Sequence, residues 1–135
     1  MPLYLADTSA WTRSRQVVDR WDELVEEDSL AVCAPVLLEL LYSARGKADY
    51  ENVAFNLEGF PTLPLNERAS HVALRTQARL AARSQHRGPR PLDLVIAAIA
   101  EIHDAVLLHY DRHFDAIAHV TGQQSEWLAR RGSLD

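Results

Sequence analysis

Residues 88–111, GPRPLDLVIAAIAEIHDAVLLHYD, decide the fold class. Gly88-Pro89-Arg90-Pro91 reads as a stiff loop, and the stretch from Leu92 to His103 predicts an apolar helix. Ala105 to His109 is an unbroken apolar run of strand length, and an acid, Asp111, follows it at once. The amino terminus repeats the strand-to-acid step. Leu3-Tyr4-Leu5-Ala6 is a short apolar run that stops at Asp7-Thr8-Ser9, a cluster of helix-starting residues. Strands alternating with helices over short connections predict an α/β fold with a parallel sheet between two helical layers.

The intervening sequence fills in that alternation. Val17, Trp21, Leu24 and Val25 share one helical face opposite acids, so an amphipathic helix is expected to end near Asp28. Leu30 to Cys33 then predicts strand two. Pro35 suits the first turn of a helix through Val36–Tyr42 that stops near Gly46, and a further helix is expected over 47–58. Thr62 to Leu65 predicts a short edge strand, since Pro61 and Pro64 are tolerated only at an edge. Asn66 caps a long helix ending near His86. Beyond Ala118 the sequence suggests a last short strand and a terminal helix around Glu126-Trp127-Leu128. The sheet expected is therefore of four to five strands, in one domain spanning 1–135.

Composition excludes several classes. A chain of 135 residues that is 47% hydrophobic and 24% charged can bury a core without covalent staples. Its single cysteine, Cys33, lies in the apolar run LAVCA and permits neither an internal disulfide nor a multi-cysteine zinc site. No apolar run approaches membrane-spanning length and the first residues lack signal-peptide order, so cytoplasmic residence is the expectation.

The net charge of −5 conceals segregation. Residues 22–28, DELVEED, are acidic, whereas residues 68–92 contain no Asp or Glu and carry Arg68, Arg75, Arg79, Arg83, Arg87 and Arg90. Guanidinium forks match phosphate oxygens, so Arg75, Arg79, Arg83, Arg87 and Arg90 are candidate phosphate-binding residues for a nucleic acid. A solvated helix face accounts for the same stripe equally well.

Four acids stand out against the alternation. Asp7 and Asp111 follow strands, Asp93 opens a helix and Glu39 lies soon after strand two, and parallel sheets bind ligands outside the carboxyl ends of their strands. Helix capping explains Asp7, Asp93 and Asp111 one by one. Glu39 is harder to explain that way, because it is the only charged residue between Asp28 and Arg45 and sits within VLLELLY. An apolar setting requires a partner for an ionised carboxylate, and Arg45 lies off its helical face. A hard divalent cation, Mg²⁺ or Mn²⁺, suits an all-oxygen donor set and serves phosphate chemistry by activating water. Thr8 and Ser9 offer hydroxyls to orient water or phosphate. His109 and His113 have the i, i+4 spacing of a helical zinc pair, but His109 ends a strand, which disfavours zinc.

At these residues the chain resembles the PIN-domain family, and within it the VapC toxins of bacterial toxin–antitoxin pairs. Asp7-Thr8-Ser9-Ala10 looks like the opening acidic motif, Glu39-Leu40-Leu41-Tyr42-Ser43-Ala44-Arg45 like the second, and Pro91-Leu92-Asp93-Leu94-Val95-Ile96-Ala97-Ala98 like the third. In the fourth motif Asp111 is retained, while His109 stands where the family commonly has Thr or Ser and His113-Phe114 replaces an acidic-Phe pair. The resemblance implies a three-layer α/β/α PIN fold and Mg²⁺- or Mn²⁺-dependent RNA hydrolysis by Asp7, Glu39, Asp93 and Asp111. It leaves Asp115 as an extra water-mediated metal ligand. It also implies a homodimer and a cognate VapB-type antitoxin, for which Trp11, Trp21 and Phe55 are candidate anchors. Two other readings compete: a non-catalytic RNA- or partner-binding module, and a Mg²⁺-binding receiver-like signalling domain. The second is disfavoured because Lys47 is the only lysine and follows no late strand.

Overall fold

The computed structural model describes residues 2–135. Strands β1 (Tyr4–Ala6), β2 (Leu30–Ala31), β3 (Val106–His109) and β4 (Ser125–Trp127) form one sheet in the order β2-β1-β3-β4, with every neighbouring pair parallel. Leu5 stands opposite Ala31 on one side and Leu107 on the other. Parallel pairing requires crossovers, which are supplied by α1 (Thr8–Thr12), a 3₁₀ turn (Ser14–Val17), α2 (Val18–Glu26), α3 (Ala34–Tyr42), α4 (Lys47–Leu57), α5 (Glu67–Ala81), α6 (Pro91–Ile102) and α7 (His113–Thr121).

Alternation along the strands builds the two outer layers. Leu5 and Leu107 pack into one cluster with Val36 of α3, Val72 and Leu80 of α5, Ile96 and Ile99 of α6 and Phe114 of α7. Their neighbours Ala6 and Leu108 face the other way, joining Ala10 of α1 with Trp21 and Leu24 of α2. All of β3 is buried, as expected for a parallel strand covered on both faces. The sequence continues from β1 outward to β2 and then returns past β1 to β3. The order therefore reverses between β1 and β3, and their carboxyl ends flank the crevice where ligands bind in such sheets.

Several boundaries differ from expectation for local reasons. Strand two ends at Ala31, and the edge strand expected over 62–65 reduces to one bridge, Val32 to Thr62. Only Val32 N–H to the Pro61 carbonyl (2.9 Å) and Leu63 N–H to the Val32 carbonyl (2.8 Å) form there, because Pro61 and Pro64 have no N–H to extend the ladder. The arginine-bearing helix stops at Ala81 rather than near His86, and Ser84 adopts φ 56° in the turn that follows. Pro91 is the first residue of α6 instead of the end of a loop. Glu126-Trp127 lies in β4, not in a terminal helix, and α7 is an additional helix that the sequence reading did not anticipate. Among the described residues, no helix is long and apolar enough to cross a membrane.

Candidate active site

Asp7 leaves β1 at the order reversal and caps α1, its Oδ1 accepting from Ala10 N–H at 3.1 Å. The Ser9 hydroxyl donates to the same oxygen at 2.7 Å and accepts from Tyr110 N–H at 2.9 Å. One hydroxyl thus ties the acid after β1 to the turn after β3. Asp111 lies in that turn, where its Oδ1 accepts from His113 N–H (2.9 Å) and its own N–H donates to His109 Nδ1 (3.2 Å). Accepting at Nδ1 places the imidazole proton on Nε2, the fully buried nitrogen 4.0 Å from Asp115 Oδ1. His109 thus braces the Asp111 turn through its ring nitrogen.

Asp93 arrives from the opposite direction, in the first turn of α6, with Oδ2 accepting from Arg90 N–H at 3.0 Å. Glu39, on α3, accepts from the Thr8 hydroxyl at 2.7 Å. The guanidinium of Arg90 lies between the last two acids, 3.5 Å from Glu39 Oε2 and 3.4 Å from Asp93 Oδ1. The partner required by Glu39 is therefore a hydroxyl and an arginine 51 residues away, neither visible in its own helix.

Burial sets the electrostatics. Asp7 and Asp93 are 3% and 2% exposed. Desolvation pushes Asp7 from its ordinary 3.8 up to about 7, outweighing the hydrogen bonds from Ser9 and Ala10, and the nearby Asp93 adds to the rise. Asp93 is raised by the same cause, with Arg90 opposing and Asp111 reinforcing the change. Arg90 is raised in turn, chiefly by Asp93. These reciprocal influences place Asp7, Asp93 and Asp111 in one electrostatic neighbourhood, joined by Glu39 through Arg90. As the side chains stand, no three His, Cys, Asp or Glu groups among the described residues close on a single point to form an ion cage. The donor chemistry nevertheless fits a hard divalent cation, since every acid offers oxygen and a nearby positive charge would relieve the cost of ionising two buried carboxyls.

Other candidates fall elsewhere. Arg75 and Arg79 line a cavity of about 540 Å³ with Glu101 and Asp104, beside Ala105 and Gln124 at the amino ends of β3 and β4. That is the end of the sheet opposite the acids. Arg83 and Arg87 are exposed between α5 and α6, so Arg90 is the member of the stripe that reaches the carboxylates. Asp115 accepts from the Trp127 indole N–H at 3.1 Å. His109 is buried in β3 while His113 opens α7, so they do not form one helical pair. Trp11 and Trp21 pack edge to face at 4.8 Å, with Trp21 in the core, which removes Trp21 as a docking anchor; Phe55 is 72% exposed. Arg13 and Arg131 lie beside Ser9 and Asp111, a placement with no local sequence signal because both are brought there by the fold.

Fold and acids together define an α/β protein with buried carboxylates gathered at the switch point of its parallel sheet. The sequence matches the PIN domain over residues 4–120. Ribonuclease VapC18 of Mycobacterium tuberculosis is 38% identical over 136 residues, covering 98% of this chain and 99% of its own. Ribonuclease VapC51 of the same organism is 42% identical over 134 residues, covering 98% and 97%. The solved DNA-bound VapBC of Salmonella typhimurium shares the fold, with a TM-score of 0.78 at 18% identity over 96% of this chain and 100% of that one. The chain belongs to the PIN-domain family, in its VapC ribonuclease branch.

Proposed function

We propose that this chain is a divalent-metal-dependent endoribonuclease, the toxin of a VapBC pair, acting through Asp7, Glu39, Asp93 and Asp111. The observation that carries this reading is the burial of Asp7 and Asp93 beside one another at the β1/β3 crevice, with Asp111 and Glu39 adjoining. These four carboxylates would hold Mg²⁺, with Mn²⁺ as the substitute. Bound there, the ion supplies an activated water and positive charge toward the phosphoryl oxygens.

The chain's own groups arrange the rest. Thr8 and Ser9 fix Glu39 and Asp7 through hydroxyl donors, so neither acid need reorganise when substrate arrives. The Arg90 side chain is 65% exposed at the rim and offers a guanidinium to an RNA phosphate. Arg83 and Arg87 are candidates for contacts further along the strand, as are Arg75 and Arg79 on a longer RNA. Asp115 holds the Trp127 indole N–H and lies 4.0 Å from His109, and it would reach the cation through a water.

A VapB-type antitoxin is the proposed partner, and the solved VapBC complexes of similar fold support it. Leu38, Tyr42 and Phe55, exposed on α3 and α4, offer it an apolar face. A homodimer of single 1–135 domains in the cytoplasm is the proposed setting. The test is incubation of a mixed structured RNA pool with partner-free protein in Mg²⁺, Mn²⁺ or EDTA, beside Asp93→Asn. Metal-dependent cuts missing from the variant support the assignment; equal cutting by a folded Asp93→Asn protein refutes it. Metal binding without cuts would favour the non-catalytic module.

A further inference from the structure

A cavity of about 540 Å³ opens at the amino ends of β3 and β4, at the end of the sheet opposite the acids. One wall is α5, which carries Arg75 and Arg79 one turn apart with Thr76 between them. The facing wall is the end of α6, with Glu101 in its last turn and Asp104 in the left-handed residue (φ 53°) just beyond it. Helix α7 also ends here, at Gly122 (φ 74°). Gln123 ties that end to α6, its Nε2 donating to the Ala97 carbonyl at 3.0 Å.

The two walls carry opposite charges that do not meet. Among the described residues neither Arg75 nor Arg79 forms an ion pair with Glu101, Asp104 or any other acid. Thr76 is only 5% exposed, and neither its hydroxyl nor the Gln124 side-chain amide has a hydrogen-bond partner among the described residues. A helix C-terminus carries partial negative charge, so the ends of α6 and α7 add to the acid wall. This separation decides the class of ligand. A phosphate held by the guanidiniums would face two carboxyls, and a plain cation held by the carboxyls would face two guanidiniums. A zwitterion satisfies both walls, with its carboxylate on the arginine forks and its ammonium on the acids. No aromatic or large aliphatic side chain lines the cavity, so a polar side chain suits it, and the Gln124 amide offers that side chain both a donor and an acceptor. The volume lies within the range of small-ligand sites.

We propose that this cavity binds a small zwitterion of the polar α-amino-acid class, carboxylate toward Arg75 and Arg79 and ammonium toward Glu101 and Asp104. The site goes beyond the ribonuclease reading and does not rest on it, since it shares no residue with Asp7, Glu39, Asp93 and Asp111. It divides the arginine stripe by task, with Arg90 serving the acids and Arg75 and Arg79 serving a small ligand at the other end of the sheet.

The test is isothermal titration calorimetry of the whole chain in EDTA with four probes. They are L-glutamine, N-acetyl-L-glutamine (which lacks the ammonium), the α-amide of L-glutamine (which lacks the carboxylate) and inorganic phosphate. L-glutamine should bind about tenfold or more tightly than each of the others. Arg75→Ala and Arg79→Ala should each weaken L-glutamine about three- to tenfold without weakening the α-amide. Glu101→Ala should weaken L-glutamine without weakening N-acetyl-L-glutamine. Asp93→Asn, at the far end of the sheet, should match wild type. Arg75 and Arg79 are both exposed, so two variants that keep the core intact carry the test. Phosphate binding as tight as L-glutamine would make the cavity an anion site, and loss of L-glutamine in Asp93→Asn would put the ligand among the acids. Either result overturns the proposal, as does a wild-type protein that does not bind L-glutamine. Because no arm reads RNA cleavage, failure of the ribonuclease reading would leave these results standing.

Discussion

Replacing Asp7 with Asn tests the buried carboxylate at the centre of the site through stability, without any assay of activity. Asn keeps an oxygen that can cap α1 through Ala10 N–H and accept from Ser9, so the change removes the charge with little loss of local geometry. The folded carboxyl titrates at about 7 and the unfolded one at its ordinary 3.8. Between those values the folded state holds a proton that the unfolded state has released. Wild-type stability therefore falls as pH rises from about 4 to 7 and stays low above it. At 1.36 kcal/mol per pH unit the difference amounts to about 4 kcal/mol, an order-of-magnitude figure. Urea unfolding of both proteins in EDTA from pH 4.5 to 8 isolates this group, because other titrations cancel in the difference. The variant should gain on wild type by about 2–4 kcal/mol across that range. Adding Mn²⁺ at pH 8 should restore wild type and leave the variant behind, since a ligand that binds only the folded state stabilises it. Parallel pH profiles for the two proteins would refute the claim that Asp7 is ionised at a cost.

Three further outcomes follow from other contacts. Thr8→Val removes the hydroxyl that holds Glu39 and should lower kcat about tenfold in the cleavage assay while the far-ultraviolet spectrum stays unchanged. Cys33 is fully buried and its thiol is pushed up to about 11 by burial, so native protein should leave a thiol reagent unreacted at pH 8 and react once unfolded in urea. Arg20 bonds Glu126 and the carbonyls of Trp127 and Leu128, joining α2 to β4; Arg20→Ala should cost about 1–2 kcal/mol by urea unfolding, and no loss would show that β4 docks without it.

The elements with strong periodicity were legible in the sequence, as were the acids beside them. The run from Leu92 to Asp111 predicts α6, β3 and the acid after it because buried helices and buried parallel strands both need long apolar stretches. The edge strand over 62–65 was misread because its apolar residues suit a strand while its prolines limit pairing to one bridge. The short α7 carries His113, Asp115 and His119 among its apolar positions, which hid its face from the periodic reading.

What the sequence by itself determined is the set of acids and their order relative to strands and helices, since each stands at a boundary that local chemistry marks. Tertiary structure alone decided their partners. Glu39 meets Thr8 and Arg90, Ser9 meets Tyr110, and Arg13 lies near Arg131, because the sheet returns β3 to the side of β1 and brings together residues from distant turns. It also separated the arginine stripe, sending Arg75 and Arg79 to the amino ends of the strands and Arg90 to the carboxylates. Charge is written along the chain, but which charges face each other is set by where buried apolar surfaces hold the elements that carry them.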